Sequence, residues 1–309
     1  MRYLSVCSGI EAATVAWHPL GWEALAFSEI EPFPRKVLTY HYPDVRLEGD
    51  FTALREQEWI KDADILVGGT PCQAFSIAGL RNSLDDARGN LTLEFVRLAN
   101  AIDNLRRSRD GTIIVWENVL GVLSVKDNAF GCFFGAIVGN DEPLVPTGGK
   151  WTNAGMVVGP KRRAAWRVLD AQYFGVAQRR RRVFVVASSR DDFDPAEVLF
   201  ERESLRGHIT QGAKINQPER EVVGSITTRT GRANDNFSAE VGHCIVDKSG
   251  KPRWIMPIEC ERLQGFPDNY TNIPNASDTS RYKALGNSMA VPVMAWLGKR
   301  IQKHMQKDT

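Results

Sequence analysis

Ile65-Leu66-Val67-Gly68-Gly69-Thr70-Pro71-Cys72-Gln73 is the stretch that decides the reading of this chain. The apolar triplet reads as a short buried strand, Gly68-Gly69-Thr70 as the turn that ends it, and Pro71-Cys72-Gln73 as the loop it opens into. Open α/β sheets place their chemistry in the loops at the carboxyl ends of parallel strands, and a thiol there can serve as a nucleophile. A free cysteine is ordinarily a small buried hydrophobe, so Cys72 needs a second reactive group beside it before it counts as catalytic.

That group comes about 45 residues later. Thr112-Ile113-Ile114-Val115-Trp116 reads as another buried strand and ends in Glu117-Asn118-Val119. A single helix over about 92–107 between the two strands makes a right-handed crossover, which sets them parallel and brings both ends to one sheet edge. A thiol and a carboxyl then face one cleft. A third strand-like run, Arg182-Val183-Phe184-Val185-Val186, follows Gln178-Arg179-Arg180-Arg181, whose guanidinium groups suit a base edge or a phosphate.

The order Pro-Cys-Gln, Glu-Asn-Val, Gln-x-Arg-x-Arg resembles the DNA cytosine carbon-5 methyltransferase family of bacteria and their phages. The likeness extends over nearly the whole chain. Val6-Cys7-Ser8-Gly9-Ile10 resembles the family's first motif, although Glu11-Ala12 replaces its usual pair; Glu29 in Phe27-Ser28-Glu29-Ile30-Glu31 resembles its acidic cofactor residue. Asp50 in Gly49-Asp50-Phe51-Thr52 is similar to its adenine-binding position. Glu259-Cys260-Glu261-Arg262-Leu263-Gln264-Gly265-Phe266-Pro267 and Gly286-Asn287-Ser288-Met289-Ala290-Val291-Pro292 resemble its last two motifs.

The resemblance implies a doubly wound, mostly parallel α/β sheet of the Rossmann-like methyltransferase kind, carrying a second, smaller DNA-recognition domain. It implies residues 1–189 for the catalytic and cofactor unit, 190–271 for target recognition, and 272–309 for the return to the catalytic unit. The cofactor it implies is S-adenosyl-L-methionine, leaving as S-adenosyl-L-homocysteine; its sulfonium activates the methyl group, so no metal is expected. Cys7, Ser8, Gly9, Ile10, Glu29, Ile30, Asp50, Phe51, Pro71, Leu91, Asn287 and Ser288 are the positions implied to hold it. Within that set Glu29 suits the ribose hydroxyls, Asp50 the adenine amino group, and Phe51 with Ile30 the adenine faces, with core packing as the alternative for those two. Asn287 and Ser288 would close the site as the last helix returns beside the first strand.

Carbon-5 of cytosine is a weak nucleophile. A thiolate, assigned to Cys72, adds to carbon-6 and turns the ring into an enamine that takes the methyl group, while a carboxyl, assigned to Glu117, serves ring nitrogen-3. Asn118 would orient the loop, and Arg182, with help from Arg180, would donate to the cytosine carbonyl oxygen. The base that removes the carbon-5 proton is left unassigned, water included. A stacked base is out of reach, so the target must flip into the pocket at a cost of a few kcal/mol. The loop over 74–89 suits that work, with Gln73, Ser76, Arg81 and Arg88 as DNA contacts beside Gln178.

Sequence choice is expected between about 190 and 254, where apolar periodicity fades. There Ser225, Thr227, Arg229 and Arg232 carry hydroxyls for phosphates and guanidinium groups able to read guanine. The stretch 126–163 reads as an insertion, favoured as a surface excursion over an extra DNA contact. A net charge of +2 is too mild to announce nucleic acid by itself. Five scattered cysteines suggest neither a disulfide framework nor a zinc site, and no signal-peptide core or membrane-spanning run is read, so a cytoplasmic or nucleoid protein is expected. The partner is duplex DNA and not a membrane. A monomer is expected, and a separately acting restriction endonuclease is compatible with the family. Two alternatives stand beside this reading: a tRNA cytosine-5 methyltransferase, opposed by the separate recognition region, and a catalytically silent DNA-binding relative, opposed by the joint presence of Cys72, Glu117 and the arginine pair.

Overall fold

The computed structural model describes residues 1–71, 91–106, 111–125, 127–201, 224–227, 230, 244–246 and 252–306. Cys72, Gln73, Ser76, Arg81, Arg88, Arg229 and Arg232 lie outside the described residues.

Eight strands form one sheet: β1 (Arg2–Val6), β2 (Glu23–Ser28), β3 (Arg46–Glu48), β4 (Ile65–Gly68), β5 (Ile113–Val119), β6 (Ala154–Val158), β7 (Arg163–Asp170) and β8 (Arg181–Ser188), in the spatial order β3-β2-β1-β4-β5-β8-β7-β6. From β3 to β5 every neighbouring pair is parallel; β8, β7 and β6 continue antiparallel. The strands are near-continuous apolar runs because helices cover both faces. Side chains alternate between them: Leu4, Val6, Leu66, Ile114, Trp116, Val183 and Val185 pack in one core, and Tyr3, Phe27, Ile65, Val67, Val115, Phe184 and Val186 in the other.

The first core takes α3 (Leu91–Leu105) and α4 (Ala129–Val138); the second takes α1 (Ala12–Trp17), α2 (Pro32–His41), α5 (Pro195–Leu199) and α8 (Val291–Met305). Helix α3 is the crossover between β4 and β5 that the sequence predicts, and those strands are parallel, with Ile65 beside Ile113 and Gly68 beside Trp116. The doubly wound sheet holds. The chain leaves β1 toward β2 and β3, then returns on the other side to β4 and β5, so the topological reversal falls between β1 and β4. A ligand crevice belongs outside the carboxyl ends of those two strands.

The stretch 126–163 is not a surface excursion. Helix α4 is buried along its whole length, and Phe130, Phe134, Trp151 and Trp166 form an aromatic cluster with Trp151 and Trp166 centroids 5.3 Å apart. Residues 154–158 form the outer strand β6, paired with β7. Helix α4 is apolar all round, which hides its period.

From Ile255 onward the chain rejoins the second core. Cys260 of α6 (Pro257–Gln264), Phe266, Tyr270 and Leu285 of α7 (Asp278–Asn287) pack in it, and the Tyr270 hydroxyl donates to the Ile10 carbonyl at 2.9 Å. The last helix packs on α1 and not beside the first strand: Trp17 Nε1 donates to the Met294 carbonyl at 2.8 Å. It is the turn over 287–289 that approaches the end of β1.

Gly68 ends β4 where the parallel strands come closest. A Cβ there would meet Val6 Cγ2 and the Val6 carbonyl oxygen at 2.8 Å and the Phe95 ring at 3.0 Å. Gly68→Ala is therefore expected to cost about 1–3 kcal/mol through overpacking, read as a lower urea midpoint at unchanged m-value.

Candidate active site

Three strand ends are tied together before any ligand is considered. After β1 the backbone turns through left-handed Cys7 (φ 50°), Gly9 (φ 57°) and Glu11 (φ 61°). Ser8 exchanges bonds with Ser28: its amide donates to the Ser28 carbonyl at 3.1 Å, and its hydroxyl accepts from the Ser28 amide at 3.2 Å. Ser28 Oγ donates to the Gly49 carbonyl at 2.6 Å, which brings in the segment after β3. Glu11 holds the left-handed position at the start of α1 because its buried carboxylate accepts from the Thr14 amide at 3.2 Å and hydroxyl at 2.6 Å, and also from Ser5 Oγ. That N-cap offsets the backbone strain glycine would avoid.

Glu29 sits where these strand ends meet. Its carboxylate accepts from the amides of Gly9 at 2.7 Å and of Ile30 and Glu31 at 2.8 Å each, so one side chain fixes the first loop against the second. Asp50 caps the turn that follows by accepting from the Thr52 amide at 2.9 Å. Burial, Glu29 and Asp50 push the Cys7 thiol up to about 12, which keeps it protonated and unreactive.

At the other end lies Glu117, with Arg182 Nε 3.2 Å from its Oε1. Antiparallel pairing of β8 against β5 brings the two together: Val119 faces Arg182, so the start of β8 meets the end of β5. Burial pushes the Glu117 carboxyl above the usual carboxylate range, with Arg182 and then Arg180 opposing. A Cβ on Gly69 would lie 3.4 Å from Glu117 Oε2, so the chain leading to Pro71 runs directly against this carboxyl. Asn118 fixes that approach: its Nδ2 donates to the Thr70 carbonyl at 2.9 Å, and its Oδ1 accepts from the Val119 amide at 2.8 Å.

One cavity of about 660 Å³ joins the two ends. Of the residues expected at the cofactor and the base, Cys7, Gly9, Glu29, Ile30, Asp50, Phe51, Pro71, Leu91, Glu117, Asn118, Arg180, Arg182 and Asn287 line it. Ser8 and Ser288 line a smaller cavity of about 40 Å³ behind it. Ile10 faces the core and is fully buried, so its side chain is not a cofactor contact.

One further expectation is corrected. Gln178 is completely buried; its Nε2 donates to the Leu263 carbonyl at 2.9 Å and its Oε1 accepts from the Ile226 amide at 3.0 Å, which leaves no face for DNA. Arg180 lines the cavity beside Glu117, but its two terminal nitrogens are committed elsewhere and only its Nε is left without a partner. Its Nη1 donates to the Ile226 carbonyl at 3.1 Å and its Nη2 to the carbonyls of Gly286 at 3.0 Å and Ser288 at 2.7 Å. Burial first, then Arg182, pushes its pKa down to about 9, with Glu117 opposing. Burial alternates along the chain that enters β8, so the run of arginines divides: Arg179 and Arg181 are exposed, while Arg180 is buried. Ser225 donates to the Arg179 carbonyl at 2.9 Å, and the Thr227 amide donates to Thr230 Oγ1 at 3.0 Å; Thr227 itself is exposed. The brace that Arg180 makes is what sequence reasoning missed, and strand alternation was the signal for it. Arg180→Met should destabilise the protein by roughly 3 kcal/mol, because three buried carbonyls lose a charged donor; chemical denaturation measures it.

The family model for C-5 cytosine-specific DNA methylase matches residues 1–134 and 200–303. A protein of Escherichia phage P1 described as a DNA N-6-adenine-methyltransferase is 37% identical over 97% of this chain, which spans 61% of that relative's length. Type II methyltransferase M.HhaI of Haemophilus parahaemolyticus is 24% identical, with 97% of this chain and 94% of that protein covered. Among solved structures, the Entamoeba histolytica methyltransferase EhMeth shares the fold at a TM-score of 0.65 and 13% identity, over 100% of this chain and 98% of that one. With the model covering most of its length and the paired motifs meeting in one cavity, this chain belongs to the C-5 cytosine-specific DNA methylase family.

Proposed function

We propose that the protein transfers a methyl group from S-adenosyl-L-methionine to carbon-5 of cytosine in a short duplex DNA sequence, by way of a flipped base and a covalent adduct on Cys72. The observation that carries this reading is the buried carboxyl of Glu117, its pKa raised by burial, set beside Arg182 and against the chain that enters Cys72, in the cavity whose far end holds Glu29 and Asp50.

S-adenosyl-L-methionine is the cofactor of this family and fold. The residues present fit it. Glu29 keeps accepting capacity on Oε2, which takes one amide where Oε1 takes two, and this suits ribose hydroxyls. Asp50, whose Oδ1 takes the Thr52 amide, would keep Oδ2 for an adenine amino group, and Phe51 and Ile30, which line the same cavity, would cover the ring. When bound, the cofactor supplies the sulfonium-activated methyl group.

The chain's own residues then do the following. The Cys72 thiolate adds to carbon-6 of the flipped cytosine as Glu117 gives its proton to nitrogen-3, and Arg182 donates to the ring carbonyl oxygen. Carbon-5, now part of an enamine, takes the methyl group. Its proton leaves to a base, water included; carbon-6 releases the thiolate, and nitrogen-3 returns its proton to Glu117. Asn118 and Arg180 are positioning residues in this scheme.

We place target recognition between about 200 and 254, since Val198 and Ile255 on either side pack in the catalytic unit's core. The exposed arginines Arg179 and Arg181 stand at the start of β8, where Ser225 of that region donates to the Arg179 carbonyl. Duplex DNA in the bacterial cytoplasm or nucleoid is the substrate, the protein acts as a monomer, and any cognate restriction endonuclease acts separately. No helix among the described residues is long and apolar enough to cross a membrane.

The name of the phage P1 relative raises adenine as a second target. Transfer to an exocyclic amine uses the nitrogen's own lone pair and calls for acceptors around it, not for a thiol and a protonated carboxyl. The test is digestion to nucleosides of duplex DNA, single-stranded DNA and tRNA incubated with methyl-labelled cofactor. Label is expected in 5-methyldeoxycytidine and lost in Cys72→Ala; label in N6-methyldeoxyadenosine, or only in tRNA, overturns the proposal. A second prediction concerns pH. Because burial raises the Glu117 pKa, its acid form persists above the ordinary carboxylate range and is lost as pH rises through that raised value. Single-turnover rate should therefore fall on an alkaline limb, and Glu117→Gln should remove the limb and lower the plateau about 10²-fold.

A further inference from the structure

Thr70 precedes Pro71 by one residue, and Thr92 stands in the first turn of α3. Between them runs 72–90, the segment that begins with Cys72. The two threonine hydroxyls are 2.8 Å apart and buried, with 3% and 2% of their residues exposed. Trp116 of β5, fully buried against Phe133 at a centroid distance of 4.2 Å, donates its Nε1 hydrogen to Thr70 Oγ1 at 3.0 Å. The Thr70 carbonyl meanwhile accepts from Asn118. Both polar ends of Thr70 are thus bonded, one to the end of β5 and one to the start of α3.

Packing alone does not call for this arrangement. Valine would fill the same volume as either threonine, and buried hydroxyls are unfavourable unless they are bonded. The polar trio joins the two ends of one segment to the strand that carries Glu117. We propose that Thr70, Thr92 and Trp116 are positioning residues: they tie together the chain on either side of segment 72–90 and so fix Pro71, the residue that leads to Cys72, relative to Glu117. This inference rests on the reading of Cys72 as the nucleophile.

The experiment compares the full chain with Thr92→Val, Thr70→Val, Trp116→Phe and Thr92→Ser. Four quantities are read: the single-turnover methyl-transfer rate, the Kd for S-adenosyl-L-methionine, the Tm, and the rate of Cys72 alkylation by iodoacetamide followed by mass spectrometry. Misplacing a reacting group by about 1 Å costs up to 10²-fold. Thr92→Val and Thr70→Val should therefore transfer at least about tenfold more slowly, with cofactor Kd within about twofold and an altered alkylation rate. Thr92→Ser, which keeps the hydroxyl, should recover the wild-type rate. An unchanged transfer rate in both valine variants overturns the clasp, as does a slow rate that serine fails to rescue or that tracks a loss of cofactor binding. Wild-type protein that places no label in cytosine, with or without Cys72, sinks the nucleophile reading instead; the clasp is then judged by alkylation alone, and unchanged alkylation in both valine variants overturns it.

Discussion

A carboxyl group buried beside an arginine pair is the constraint around which this molecule is arranged. Taking Glu117 out of water is costly, and Arg182 at 3.2 Å recovers only part of that cost. The balance leaves a group that holds its proton more firmly than an exposed glutamate. Stability would be served as well by an apolar residue at the end of β5. What the arrangement gives is a carboxyl of raised pKa at a fixed place, and the parallel strands alone could not make it. They bring Glu117 near the chain that leads to Cys72, but the arginine arrives only because β8 runs antiparallel and starts where β5 ends.

Preorganisation extends outward from that pair through hydrogen bonds that join strand ends to one another. Ser8, Ser28 and Glu29 lock the ends of β1, β2 and β3; Asn118 and Thr70 lock β4 to β5; Arg180 locks β8 to the turn over 286–288. Each uses a side chain to satisfy a backbone group that a strand end or helix start leaves without a ladder partner. The cavity walls are therefore set by the fold before a ligand enters, which lowers the ordering cost of binding.

Legibility in the sequence followed the same division. Strands β4 and β5, the crossover helix between them and the meeting of Gly69-Thr70-Pro71 with Glu117-Asn118 could be read from short apolar runs and chain direction, since both are local properties. Helix α4 could not. Its residues are apolar on every side, and Gly131 and Gly135 look like loop residues when they in fact admit the backbone of 142–144; a Cβ on Gly131 would lie 2.1 Å from the Leu144 carbonyl oxygen. The roles of Gln178 and Arg180 were open to misreading because four consecutive arginines look like one basic patch. On a strand, neighbours point to opposite sides, and only the partners across the fold, at Ile226, Leu263 and Ser288, decide which of them is a brace.

Glu11 shows how one departure from a family pattern can be absorbed. The position requires a left-handed backbone, at a cost to any residue with a Cβ. A glutamate there can recover that cost only if its carboxyl finds donors within the first turn of α1, and Thr14 supplies two of them. Thr14 Oγ1 also bonds the Tyr3 hydroxyl at 2.7 Å, so the substitution draws β1 and α1 into one buried polar chain. The loop after β1 is here held by side chains, and the end of the cavity around Gly9 and Glu29 gains rigidity from the residue that appeared to break the motif.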